Sequence, residues 1–152
     1  MVREYDAAVI GLTMDEAGIP KEPERRVDIA RRIVERAEQM GIPREDVVID
    51  CLALTVGADH KAALITLEAI QGVRRELGVN QTLGASNVSF GLPDREVINA
   101  AFLAMAIAAG VTCPIVDVAR VRPFVLAVDL LLGRDEFAMR YLKAYRRRRR
   151  GN

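Results

Sequence analysis

The chain alternates short apolar segments with amphipathic helical segments, and this alternation constrains its fold more than any other feature. Four apolar segments, rich in β-branched residues and leucine, lack a regular polar alternation, and each is followed by apolar residues at helical spacing. They are Ala7–Thr13, Val47–Leu54, Thr82–Ser86 and Cys113–Val118. Strands of this kind are typical of parallel sheets buried on both faces, whose neighbours are joined by long helical crossovers. The sequence therefore predicts an α/β fold of four consecutive β/α units.

Residues that start or stop helices bound the helical segments. The first helix is predicted to begin at Glu24 and to end before Gly41 and Pro43. The third is predicted to begin at Asp94, a residue type that caps helix N-termini, and to end at Gly110. The remaining helices are expected around 63–77, 124–132 and 135–145.

The repeat length favours half of a barrel. The units begin about 30 to 40 positions apart, and a (β/α)₈ barrel of ~250 residues uses roughly 31 per unit. We therefore expect a (β/α)₄ half-barrel with parallel strands over residues 1–145 and a basic flexible tail over 146–152. A half-barrel leaves two strand edges and its inner face uncovered. Three explanations stay open: completion by another chain, self-association into a homo-oligomer, or a fragment of a longer protein.

Composition excludes several classes of function. The formal net charge is +1, and five of the positive charges lie in Arg146–Arg150, so no global field indicates nucleic acid or membrane binding. His60 is the only histidine, which argues against histidine triads and multi-histidine metal sites, and no metal site is predicted. Cys51 and Cys113 are expected to be buried free thiols of a cytoplasmic protein.

The segment 83–93 carries the most specific chemistry. A short apolar stretch leads into Ser86, Asn87 and Ser89, followed by a glycine–proline turn and a helix. In α/β proteins, the carboxyl ends of parallel strands are where ligands bind. The spacing therefore predicts a binding site built from small polar side chains at the end of the third strand.

These residues belong to a wider pattern that resembles the methyltetrahydrofolate:corrinoid methyltransferases, specifically the C-terminal half of their pterin-binding barrel. The resemblance covers the chain from about Ala7 to the last helix. The matching segments are Gly-Leu-Thr-Met-Asp at 11–15 with Gly-Ile-Pro at 18–20, Ile49-Asp50, Leu-Gly-Ala-Ser-Asn-Val-Ser at 83–89, and Arg95-x-x-Ile98-Asn99 with Phe-Leu-Ala-Met-Ala at 102–106.

The resemblance implies a barrel, often dimeric, that binds 5-methyltetrahydrofolate in its mouth. The N5 methyl group passes to the cobalt of a corrinoid, or cobalamin, cofactor that a partner protein or domain carries. Tetrahydrofolate is a poor leaving group unless N5 gains a proton or hydrogen bonds as the methyl bond breaks. The site must stabilise that developing charge.

The resemblance also implies roles for individual residues. Asn87 matches the catalytic asparagine that hydrogen-bonds near pterin N5, and Asp50 matches the aspartate that holds the pterin ring. Arg95, Ser86 and Ser89 match residues beside the site, where Arg95 faces the folate tail or supports the loop and the serines orient Asn87. Other interpretations remain: Asn87 as a turn residue, and Asp50 as a carboxylate that backbone N–H groups satisfy.

Two departures from the family pattern leave other functions open. The first half of the family's barrel supplies a further aspartate and asparagine that have no counterpart here, and Cys51 stands where many members have proline. A non-catalytic half-barrel that self-associates or serves as a pterin-binding module is the alternative. A pterin enzyme of the dihydropteroate synthase kind is disfavoured, because Asp50, Asn87 and Asp117 stand where that chemistry needs basic residues to hold a pyrophosphate.

Overall fold

A parallel sheet of three strands forms the centre of the fold, and helices connect its strands. The computed structural model describes residues 2–150, apart from the side chain of Arg3. The strands are β1 (Val9–Leu12), β2 (Val47–Asp50) and β3 (Asn80–Thr82), in the order β1-β2-β3. The helices are α1 (Pro23–Gln39), α2 (Ala62–Glu76), α3 (Arg95–Ala109), α4 (Val118–Leu131) and α5 (Met139–Arg150). Consecutive parallel strands with helical crossovers confirm the predicted α/β class and are consistent with part of a barrel.

The two faces of the sheet differ in what covers them. Val47 and Ile49 are fully buried in the core that the helices form. Gly11 allows α1 to approach β1 closely, since a Cβ atom there would lie 2.5 Å from Cγ2 of Ile33. None of the helices among residues 2–150 covers the opposite face, and Ile10 is 55% exposed there. One apolar face of the sheet is therefore open.

The third strand is displaced from its predicted position. The sequence predicted a strand over 82–86, whereas β3 ends at Thr82 and residues Ala85–Ser89 form a 3₁₀ helix. The backbone N–H of Asn87 donates to the carbonyl oxygen of Gly84 at 3.1 Å. Small and polar residues favour such local turns over a strand ladder, which explains the difference.

The predicted fourth strand, over 113–118, is reduced to a single parallel bridge between Gly84 and Ile115. The N–H of Ile115 donates to the carbonyl oxygen of Leu83 at 2.9 Å, so the segment still follows β3. Pro114 lacks an N–H and interrupts the ladder there. Cys113 is consequently exposed, which corrects the prediction that both cysteines are buried; Cys51 is buried as expected.

The predicted cap of α3 is also wrong. Asp94 occupies the N-cap position, but its φ is 48° and its side chain makes no capping hydrogen bond. Cap residues normally adopt an extended backbone that aims the side chain at the first free N–H groups, and the left-handed conformation does not.

The C-terminal helices extend beyond their predicted bounds. Helix α5 continues through Arg146–Arg150, where the sequence predicted a flexible tail, and all five arginines are exposed. The Arg149 guanidinium lies 5.9 Å from the centre of the Tyr145 ring, one helical turn earlier. Residues 151–152 lie outside the described residues, and flexibility of the tail stays a prediction.

Candidate functional site

The candidate site lies at the end of the sheet where its parallel strands reach their carboxyl termini, which we call the carboxyl edge. The polar ends of β2 and β3 meet there. Because the strands are parallel and Asp50 pairs with both Leu12 and Thr82, the loops that follow all three strands emerge at this edge. Hydrogen bonds join these loops, and Thr13, directly after β1, donates its N–H to the carbonyl oxygen of Asp50 at 3.0 Å. Between the next two loops, Val56 N–H donates to the Val88 carbonyl oxygen at 2.9 Å. Asp50 and the Asn87 loop therefore lie at one end of the fold.

The Asp50 carboxylate is held at the last position of β2. Its Oδ1 accepts a hydrogen bond from the N–H of Leu52 at 2.7 Å, and the side chain is largely buried. Burial raises the pKa of the Asp50 carboxyl, and the N–H of Leu52 opposes that rise. No residue within 2–150 donates a hydrogen bond to Oδ2. The backbone thus satisfies one oxygen, and the second is available to a ligand.

Asn87 extends its side chain from a turn that the backbone alone builds. Its N–H and its carbonyl oxygen are both used, by Gly84 and Phe90 respectively. The exposed side-chain amide makes no hydrogen bond to any other described residue. Its Nδ2 lies 3.0 Å from the point where a Cβ on Gly84 would stand, so glycine makes room for the amide. The amide is therefore free to bind a ligand from the carboxyl edge.

The other predicted site residues form a network that supports the Asn87 loop. Ser89 is fully buried, and its hydroxyl donates to Oδ1 of Asn99 at 2.7 Å and accepts from Nε of Arg95 at 3.0 Å. Arg95 also donates from Nη2 to the carbonyl oxygen of Ser86 at 2.8 Å and lies 5.9 Å from the ring centre of Phe90. The structure thus places Ser89 and Arg95 behind the loop, while the Ser86 hydroxyl is exposed.

Arg26 of α1 is a residue at this edge that the sequence analysis missed. Its side chain is 1% exposed and donates hydrogen bonds to carbonyl oxygens of the loops after β1 and β2. A signal was present in the sequence, since Arg26 lies on the helix face of Ala30, Ile33 and Ala37, which turns toward the core. A charged residue on such a face needs polar partners inside the protein.

The described residues contain neither a metal-binding group of side chains nor a membrane-spanning helix. Among residues 2–150 there is no group of three or more histidine, cysteine or acidic residues placed to hold a metal ion. Within the same range no helix combines the length and the apolar character that a membrane crossing requires.

Comparison with known proteins assigns the chain to a family. A family model described as pterin binding enzyme matches residues 1–117. The chain belongs to the pterin-binding enzyme family. Ile49-Asp50 and the 83–89 motif both fall inside the matched range. The edge that carries Asp50 and Asn87 is therefore part of the family's common region.

Two kinds of curated relative are similar to this member of the family. A methylcorrinoid:tetrahydrofolate methyltransferase of Eubacterium limosum is 29% identical over 141 residues, which cover 91% of this chain and 52% of the relative. The methionine synthases of Mycobacterium leprae and Mycobacterium tuberculosis are each 34% identical over 131 residues, covering 81% of this chain and 11% of either enzyme. The resemblance to the methyltetrahydrofolate:corrinoid methyltransferases is confirmed, and the chain spans about half of the first relative and about a tenth of the other two.

Proposed function

We propose that this chain binds 5-methyltetrahydrofolate at the carboxyl edge of its sheet and acts in transfer of the N5 methyl group to a corrinoid that a partner protein carries. One observation carries the proposal: the register brings a buried carboxylate, Asp50, and an unpartnered amide, Asn87, to the same edge. The names of the curated relatives support the choice of folate and corrinoid as substrate and partner.

Asp50 is proposed to anchor the pterin ring. The 2-amino group and ring N–H of a pterin form a flat pair of donors, and a carboxylate accepts such a pair through its two oxygens. In this protein Oδ1 already accepts a hydrogen bond from the N–H of Leu52 at 2.7 Å. Its second lone pair can still accept one pterin N–H, while Oδ2 accepts the other. The partly buried surroundings strengthen these bonds relative to water.

Asn87 is proposed to act at N5. An uncharged amide both donates and accepts hydrogen bonds, so it serves N5 before and after the methyl group leaves. Its bond to N5 strengthens as the methyl bond breaks, which stabilises the transition state more than bound substrate. The E. limosum relative is named for the reverse direction, from methylcorrinoid to tetrahydrofolate, and the same contacts serve both directions. The partner's corrinoid supplies the methyl acceptor, and this chain's residues hold and orient the folate.

The proposal includes completion of the barrel. We take residues 1–145 as a half-barrel of four β/α units whose inner face is covered by a complementary N-terminal half or by a second copy. Two observations support this: Ile10 and Leu12 on the helix-free sheet face are 55% and 42% exposed, and β1 is an edge strand with an unpaired side. Exposed parallel edges of this kind are normally covered.

The same open face favours a second candidate function. A non-catalytic half-barrel that associates with itself and serves as a pterin-binding or interaction module would bury Ile10 and Leu12 without methyl transfer. Light scattering on the purified chain separates the two: a homo-oligomer that binds folate and shows no methyl transfer with a corrinoid protein supports the module. A stable monomer would contradict self-association.

Calorimetric titration with 5-methyltetrahydrofolate tests the binding proposal, using the full chain in the assembled state in which it purifies. Asp50→Ala and Asn87→Ala should each weaken binding about 10- to 100-fold, because each removes hydrogen bonds to the bound folate worth roughly 1–3 kcal/mol. The matched controls are Asp46→Ala, directly before β2, and Asn80→Ala, at the first position of β3; both lie at the amino ends of these strands and should bind like the wild type. Unchanged affinity in both site variants would overturn the proposal.

A further inference from the structure

Arg26 is a buried cation whose partners are unusual. Nε donates to the Pro20 carbonyl oxygen at 2.8 Å, and Nη1 donates to those of Cys51 and Leu52 at 2.8 and 3.0 Å. No carboxylate of the described residues forms an ion pair with this guanidinium. Three backbone carbonyl groups, from two different loops, hold the charge.

Global stability does not explain a charge in this place. Removing a guanidinium from water costs several kcal/mol, and well-packed apolar residues of similar volume often stabilise a core as well or better. The cost is visible here, since burial lowers the pKa of Arg26. The particular groups that the guanidinium binds offer a more specific reason.

Those groups bracket a strained turn beside Asp50. Leu52 has a φ of 58°, a left-handed conformation that is strained for a residue other than glycine. This conformation aims the N–H of Leu52 at Oδ1 of Asp50, at 2.7 Å. The carbonyl groups of Cys51 and Leu52 both point to Arg26. The guanidinium therefore compensates the strain of the turn that fixes the carboxylate.

We propose that Arg26 is a positioning residue for the candidate site: by binding the carbonyl oxygens of Cys51 and Leu52, it holds the turn that orients the Asp50 carboxylate. Through Pro20 it also ties the loop after β1 to the loop after β2. Arg95 holds the Asn87 loop in a similar way, because its guanidinium donates a hydrogen bond to the Ser86 carbonyl oxygen. Only the identity of the ligand rests on the function proposed above; the positioning of Asp50 does not.

Amide hydrogen exchange of the full chain, measured by NMR, tests the assignment without any ligand. In Arg26→Met, the Leu52 amide should exchange at least 10-fold faster, while the core amides of Ile70 and Val73 stay within 2-fold of the wild type. Arg26→Lys keeps the charge and one or two of the bonds, so it should restore part of the protection. Arg44→Met is the matched control, because Arg44 donates to the Leu77 carbonyl oxygen at the other end of the sheet, and it should leave Leu52 unchanged.

Two further readouts separate positioning from general stability. The pKa of the Asp50 carboxyl, followed by its ¹³C shift, should rise further in Arg26→Met because the N–H of Leu52 no longer favours the ionised form. Affinity for 5-methyltetrahydrofolate should fall about 10-fold in Arg26→Met and recover partly in Arg26→Lys.

The outcomes are distinct. An unchanged Leu52 amide in Arg26→Met overturns the inference, as does equal loss of protection at Leu52 and Ile70. If Arg26→Met does not fold, Arg26→Lys decides by the same comparison, and failure of both to fold assigns Arg26 to general stability and overturns it. If the wild type binds no folate while Leu52 and Asp50 respond as expected, the proposed function fails and the positioning role stands.

Discussion

Replacing Ser89 by alanine tests whether this residue acts through the loop or by touching a ligand. The fully buried hydroxyl makes a 2.7 Å hydrogen bond to Oδ1 of Asn99 and receives a 3.0 Å bond from the charged Nε of Arg95. The first is worth about 1 kcal/mol and the second about 1.5, because Arg95 is itself exposed, so the loss sums to about 2–3 kcal/mol. For a chain of this size that corresponds to a melting temperature lower by roughly 4–12 °C.

Chemical and thermal denaturation of Ser89→Ala measures this directly, with Ser86→Ala as the matched control. The Ser86 hydroxyl is exposed and makes no hydrogen bond to another described residue, so its removal should change stability by less than about 0.5 kcal/mol. Equal stability of the two variants would refute the loop-support argument. So would a loss of folate affinity in Ser86→Ala larger than that in Ser89→Ala.

Three further predictions concern the surroundings of the site. Burial raises the pKa of Asp50, so the ionised form opposes folding, and Asp50→Asn should be more stable than the wild type at pH 7. Denaturation should show that gap closing as the pH falls through the raised pKa of the folded protein, with the gap closed once the pH is below the ordinary value of 3.8. Gly11→Ala should lower the free energy of unfolding by about 1–3 kcal/mol, because the new Cβ would meet Ile33 at 2.5 Å, and a neutral result in urea denaturation would contradict this packing. Burial raises the pKa of Cys51 to about 12, so a thiol reagent at pH 8 should label Cys113 first, and mass mapping showing faster labelling of Cys51 would count against the fold.

The helices and the parallel order of the sheet were predictable because their signals are local or periodic. The first helix was predicted from Glu24 and begins at Pro23, since apolar residues recur at helical spacing over many turns. The parallel pairing of the strands was predictable from uninterrupted apolar segments separated by helical crossovers, which favour a parallel arrangement of neighbours.

The ends of the later strands could not be predicted from their composition. The composition of segment 82–86 is compatible with a strand. A turn forms there instead, because the N–H of Asn87 donates to the carbonyl oxygen of Gly84, only three residues earlier. At 113–118 the segment could pair only with β3 within the described chain, and Pro114 removes a donor from that one ladder, so a single bridge between Gly84 and Ile115 remains. Strand pairing is decided by tertiary contacts that a local pattern does not contain.

Some residues of the candidate site could likewise be predicted from the sequence, and others could not. Asp50 and Asn87 were predictable at the same end of the sheet, because Asp50 ends β2 and Asn87 lies in the loop after β3, which runs parallel to β2. The inward role of Ser89 was not, since burial of a serine depends on the position of Asn99 and Arg95 in the next helix. The place of Arg26 on the apolar face of α1 indicated a buried charge, but its partners could not be predicted, because they are backbone carbonyl groups of distant loops.

The central claim is that Asp50 and Asn87 contact one and the same ligand. The most direct test is NMR of the full chain carrying ¹³C-labelled aspartate and ¹⁵N-labelled asparagine side chains, titrated with 5-methyltetrahydrofolate. The account predicts that the Asp50 carboxyl and the Asn87 amide shift along a single saturation curve, while the Asn80 amide at the opposite edge does not respond. Saturation of Asn87 without any response from Asp50, or of Asn80 in place of both, would contradict it.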